Sequence, residues 1–158
     1  MIEKILLLGD PKLYKVSEPV VREEINALDS DIELLHQLVI AIRKKYGFGR
    51  GIAAPQIGLM KRLVCLNLDK QYTLFNPVLS NLSDEQFELW DDCMSFPNMH
   101  VKVARHKTCT LTFKDHNWEE QTWQLEDKLS ELLQHEVDHL DGIMATMRAV
   151  DNKSFKLV

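Results

Sequence analysis

Long apolar runs are missing from this 158-residue chain: no stretch approaches the roughly 18 residues that a membrane helix needs. The start, MIEKILLL, has only a four-residue apolar run, ended by Gly9, Asp10 and Pro11 without a small-residue cleavage site, so no secretory leader is expected and a cytoplasmic location is. A basic excess is missing too. Against 19 Lys+Arg stand 24 Asp+Glu, a net charge of −5, which argues against nucleic acid or an anionic membrane as the main partner. Cysteine is scarce: Cys65, Cys93 and Cys109 are odd in number and widely spaced, which is no disulfide framework. There is no repeat and no low-complexity segment. What remains, 45% hydrophobic and 27% charged residues, is the composition of an ordinary globular chain. At 18.4 kDa it is expected to form one domain over residues 1–158.

Residues 9–20 carry two prolines and read as an extended arm. Ser30 and Glu33 form a capping-box pattern, and Ile32, Leu35, Leu38, Val39 and Ile42 follow at helical spacing, so a helix is predicted over 31–45, closed by Gly47. The Gly/Ala-rich stretch 47–58 cannot be a regular helix. From 62 to 114, RLVCLNL, YTLFNPVLSNL, QFELW, VKVA and TCTLTF are short apolar or alternating runs, read as mostly antiparallel strands. HNWE at 116–119 reads as a turn before a further strand at 120–125. A second helix is predicted from 127, ending near Gly142, with Leu129, Leu132, Leu133, Glu136 and Leu140 on one face. The tail after 144 is short and mixed. The fold class expected is α+β, with the last helix packed on sheet.

That helix carries the chemistry. His135, Glu136 and His139 form H-E-x-x-H, which puts two imidazoles on one helix face where they can share a divalent metal, with a carboxylate beside its open position. The alternative is a surface helix with two solvated histidines. Glu136 argues against it, because a carboxylate on an apolar stripe is costly unless paired or ligated. Only nineteen residues follow His139, with no His or Glu among them, so a third ligand must come from upstream. The non-helical candidates are Cys93, Cys109, His100, His106 and His116. Cys93 stands out by its polar setting, LWDDCMSFP, and thiolate is a strong ligand for zinc or ferrous iron. Cys65 and Cys109 lie in apolar alternating runs and read as core residues. The loop GRGIAAPQ, 49–56, fits a loose dinucleotide fingerprint but follows a helix and meets Pro55, so phosphate binding is disfavoured. A tight helix–strand connection and a close backbone approach to a ligand, with Gln56 as donor, both remain open.

Together GRGIAAPQ (49–56), DDCMS (91–95) and QHEVDH (134–139) resemble, in order and spacing, the three motifs of the peptide deformylases; Asp10-Pro11-Lys12-Leu13, Phe75-Asn76-Pro77 and His139-Leu140-Asp141-Gly142 match flanking stretches. The resemblance implies small antiparallel sheets around a central helix bearing the histidines. It implies one divalent metal per chain on Cys93, His135 and His139, with Fe2+ in the cell and Zn2+ or Ni2+ in preparations. Glu136 is then general base and acid, and the Gln56 amide and Met94 N–H are donors to the formyl oxygen. Gly51 backbone runs beside the bound peptide. The implied reaction removes formate from N-formylmethionyl nascent chains, with the ribosome as a wider partner and a monomeric enzyme. Departures from the family pattern are also visible. Asp91 stands for the usual Glu, with Arg105 as its expected partner, and Asp92 stands for a Gly. Arg50, Lys128 and Glu131 replace apolar residues around the first-residue pocket that Leu132 also lines, and His100 replaces an arginine near the peptide path. These charges leave two further readings: a deformylase for non-Met or polar first residues, or a non-catalytic relative that binds metal or peptide.

Overall fold

The computed structural model describes residues 1–158. Two helices and eight strands form two antiparallel sheets. Helix α1 is Asp29–Tyr46. Strands β1 (Gly51–Ala53), β2 (Leu63–Asn67), β3 (Gln71–Ser80), β6 (Thr108–Lys114) and β7 (Glu120–Glu126) make a five-stranded sheet in the order β1-β2-β3-β6-β7. Strands β4 (Gln86–Asp91), β5 (Met99–His106) and β8 (Phe155–Leu157) make a three-stranded sheet in the order β4-β5-β8. Helix α2, Asp127–Leu140, lies between the two sheets. This is the α+β arrangement expected. No helix is long and apolar enough to cross a membrane.

Periodicity accounts for most elements. In α1, Leu35, Leu38, Val39 and Ile42 are fully buried against Ile52, Leu63 and Phe75, each such side chain contributing about 1.5–3 kcal/mol. Gly47 ends the helix at φ +80°, its N–H donating to the Arg43 carbonyl at 2.9 Å. The Ser30–Glu33 capping box does not form. The chain enters through a 3-10 turn at Asn26–Leu28, so the helix already begins at Asp29 and Ser30 lies inside it. The arm at 9–20 is not simply extended either, since Asp10 caps a 3-10 turn at Pro11–Tyr14. Two short strands were missed, β1 inside the Gly/Ala-rich stretch and β8 in the tail; three residues are too few for alternation to register.

Helix α2 is buried on nearly every side. Leu132, Leu133 and Leu140 pack with Leu66, Leu74, Leu111 and Leu125 of the larger sheet. Leu129, expected on that face, is exposed. Gln134 fastens the opposite side: it accepts from the His106 N–H at 3.0 Å and donates to the His106 carbonyl at 2.9 Å. No loop precedes the helix, since β7 ends at Glu126 and Asp127 turns the corner at φ +52°. At the far end the N-terminal arm covers the last carbonyls. The Ser17 N–H donates to the Leu140 carbonyl at 2.8 Å, Arg62 donates to it at 3.1 Å, and Arg62 pairs with Asp141 at 2.9 Å. Asn76, at φ +52°, holds the same arm by a reciprocal pair of bonds to Val20.

Gly142 is where arm and helix touch. It has φ +71°, and a Cβ there would lie 2.5 Å from the Tyr14 carbonyl oxygen. Gly142→Ala is therefore expected to destabilise the protein by about 2–4 kcal/mol, combining left-handed strain with backbone overpacking. Urea unfolding measures it, and an unshifted midpoint would show that the arm does not seat the helix.

Candidate metal centre

Three elements converge on one buried point. Helix α2 brings His135 and His139, four residues apart on the inward face. The turn after β4 brings Cys93. The 3-10 turn Ala54–Ile57, which follows β1, brings Gln56. The donor atoms of Cys93, His135 and His139 lie within 4.8 Å of one another, all three residues buried. His139 Nε2 is 3.2 Å from His135 Nε2 and 3.5 Å from Cys93 Sγ. Tetrahedral ligation at ordinary zinc–ligand lengths needs about 3.3 Å between nitrogens and about 3.6 Å from nitrogen to sulphur. The donor set therefore fits a divalent metal, and thiolate with two imidazoles suits iron, zinc or nickel.

The ring of His135 is aimed by its other nitrogen. Nδ1 donates to Asp91 Oδ2 at 2.8 Å, which leaves Nε2 facing the cluster. Burial disfavours the charged ring, yet the Asp91 carboxylate overrides it and holds the His135 pKa well above its ordinary value. Burial and the neighbouring His135 charge hold His139 well below its own. Asp91 in turn accepts from Arg105 Nη2 at 3.5 Å, the partner anticipated for it. The closer partner of Arg105 is Asp138, at 2.7 Å, and Asp138 also takes two bonds from Arg148. Asp138, Arg148 and Gln134 were not singled out in the sequence; no local pattern marks a side chain whose partner is another element.

Glu136 is almost fully buried beside the donors, and its Oε2 has no hydrogen-bond partner in the protein. Burial raises its pKa to about 7, with His135 pulling the other way and Asp91 adding to the rise. Gly51 passes close by; a Cβ there would lie 3.3 Å from Glu136 Oε2 and 2.8 Å from a Leu66 methyl. Gln56 has a fixed orientation. Its Oε1 accepts the Ala53 N–H at 3.0 Å, so its amide hydrogens point to Ser95 Oγ at 3.1 Å and Cys93 Sγ at 3.6 Å. The Met94 N–H donates to no group of the protein.

A cavity opens onto this cluster, lined by Arg50, Gly51, Gln56, Asp91, Asp92, Cys93, Met94, Glu131, Leu132, His135 and Glu136, with Phe48 and Gly49. Most residues picked from the sequence thus share one space. Three do not line it: His139 is buried beside Cys93 and His135, His100 sits on β5 opposite Lys156, and Lys128 is exposed, meeting the site only through its carbonyl, which accepts from Arg50 Nη1 at 3.2 Å. Arg50 forms an ion pair with the buried Glu131, an arrangement the sequence reading did not include. Burial raises the Glu131 pKa and Arg50 opposes the rise. Asp92 is half-buried, its pKa raised by burial and by Asp91. Cys65 and Cys109 lie in the core, as expected.

The geometry predicts two effects on metal binding. Cys93→Ala, His135→Ala and His139→Ala are each expected to lose stoichiometric metal. Asp91→Asn is expected to keep it with about 10–100-fold lower affinity, since the three ligands stay while the aim and basicity of His135 change. Competition with a chromophoric chelator measures both, and unchanged affinity in Asp91→Asn would rule out its orienting role.

The polypeptide deformylase family model matches residues 2–155. A peptide deformylase 2 of Clostridium perfringens is 32% identical over 151 residues, covering 94% of this chain and 93% of that protein. A peptide deformylase of Natranaerobius thermophilus is 34% identical over 151 residues, covering 94% and 92%. Among solved structures, a peptide deformylase from Synechococcus elongatus in complex with actinonin superposes with a TM-score of 0.86 at 27% identity, over 95% of this chain and 80% of that one. The peptide deformylase from Thermotoga maritima gives 0.81 at 28% identity, over 93% and 97%. Motifs, fold and relatives agree along nearly the full length, and the chain belongs to the polypeptide deformylase family.

Proposed function

We propose that this protein is a metal-dependent hydrolase that removes the N-terminal formyl group from N-formylated peptides and nascent chains, releasing formate. Residues 1–158 act as one catalytic domain, monomeric and cytoplasmic, with Fe2+ as the metal in the cell and Zn2+ or Ni2+ as workable substitutes. The observation that carries this reading is the cluster of Cys93, His135 and His139 at a cavity also lined by Glu136, whose Oε2 is unpartnered, and by Met94, whose N–H is unused.

When bound on those three side chains, the metal supplies Lewis-acid polarisation and lowers the pKa of water beside it. Glu136 Oε2, buried and free of protein partners, would act as the base that takes a proton from the water attacking the formyl carbon. Its raised pKa, about 7, lets it accept the proton and give it up again. Negative charge gathers on the formyl oxygen. The Gln56 amide, held by Ala53, and the Met94 N–H are the donors available to stabilise it. As the C–N bond breaks, Glu136 returns its proton to the leaving amine, so the products are formate and a peptide with a free N-terminus. Strand β1 is an edge strand of the larger sheet, and its free edge at Gly51 gives the substrate backbone a place to lie.

Metal-loaded protein, prepared anaerobically, is expected to release formate from formyl peptides. Glu136→Ala should lower turnover by about 10²–10⁴-fold while retaining metal. Gln56→Ala should cost about 10²–10³-fold in kcat. Metal bound at one per chain without formate release from any formyl peptide would contradict the proposal.

A further inference from the structure

Part of the cavity's lining is a pair of opposite charges. Arg50, just before β1, reaches across to α2, where it pairs with Glu131 and donates to the Lys128 carbonyl. Glu131 is 5% exposed, so the pair is not a loose surface contact. The space it leaves is small, about 30 Å³, room for about two water-sized groups at roughly 10–15 Å³ each. The same two side chains also line an outer groove of about 410 Å³ with Phe87, Leu89 and Lys128. The pair therefore stands between the catalytic cavity and a larger groove outside.

The groups facing the cavity matter as much as its size. Glu131 gives Oε1 to Arg50, and its Oε2 takes no hydrogen bond from the protein. Asp92, which also lines the cavity, makes no hydrogen bond or ion pair within the protein. A linear apolar side chain of four heavy atoms does not fit beside the closed pair. It would have to part the pair, leaving a buried carboxylate unpaired. It would also strip water from acceptors that it cannot satisfy. A short side chain with a hydroxyl fits and offers a donor.

We propose that the Arg50–Glu131 pair is the specificity determinant of this site, closing it to a long apolar first side chain and favouring formyl peptides whose first residue is short and hydrogen-bond-donating. This rests on the deformylase reading above and names its substrate class. Both residues act by shaping the recess and take no part in the proton transfers.

The test compares formyl-Ser-Ala-Ser with formyl-Met-Ala-Ser in the metal-loaded wild type and in Arg50→Ile/Glu131→Ile. The readouts are kcat/KM and, by calorimetry, the affinities of the products Ser-Ala-Ser and Met-Ala-Ser. Replacing the pair is expected to shift the Met-to-Ser ratio towards Met by about tenfold or more, in affinity as well as turnover. A smaller shift overturns the proposal. Formate release with an unmoved ratio refutes this inference and leaves the deformylase reading intact. If no peptide releases formate, the deformylase reading fails, and the product affinities alone decide the role of the pair. If the double variant does not fold, Glu131→Leu, which strands only the half-exposed Arg50, carries the same expectation and the same threshold.

Discussion

Two carboxylates from different elements, Asp91 at the end of β4 and Asp138 on α2, meet at the guanidinium of Arg105, which is 2% exposed on β5. Burying any of these three charges alone would cost several kcal/mol, so the elements that carry them cannot separate without exposing that cost. Arg148, from the 3-10 turn Ala145–Arg148, takes both oxygens of Asp138 and closes the cluster towards solvent. The smaller sheet, the central helix and the C-terminal turn are thereby tied together. The remaining acceptor capacity of Asp91 goes to His135 Nδ1. The direction of the His135 nitrogen that faces Cys93 and His139 is thus set by a network that joins the smaller sheet, the central helix and the C-terminal turn.

The active cavity shows what this rigidity permits. Its polar groups are held by atoms pointing away from the reaction: Gln56 by Ala53, His135 by Asp91, Gly51 by the lack of space for a side chain. The groups left free, Glu136 Oε2 and the Met94 N–H, are the ones a hydrolysis needs. Placing donors before the charge develops avoids reorganisation at the moment of reaction.

What the sequence made legible follows the range of each signal. His135 and His139 are four apart on one helix, a local spacing, and Glu136 on the apolar stripe announced that something must meet it. Cys93 stood out because its neighbours were polar, and it does reach the histidines. Helix α1 and the longer strands were legible from periodicity, with boundaries off by a few residues where a 3-10 turn altered the entry. Strands β1 and β8 were not, at three residues each. The charged residues around the pocket were visible as departures from the family pattern, but not their arrangement. That Arg50 and Glu131, 81 residues apart, neutralise each other depends on β1 lying beside α2. The double hold on Asp138 likewise depends on the turn that brings Arg148 back to the helix.

The central claim is that one thiolate and two imidazoles from three separated positions hold a single metal ion. X-ray absorption on the zinc-loaded protein tests it most directly. One sulphur at about 2.3 Å and two nitrogens at about 2.0–2.1 Å are expected, with the sulphur shell lost in Cys93→Ser. A shell of oxygen and nitrogen only, or a sulphur that persists in Cys93→Ser, would contradict the account.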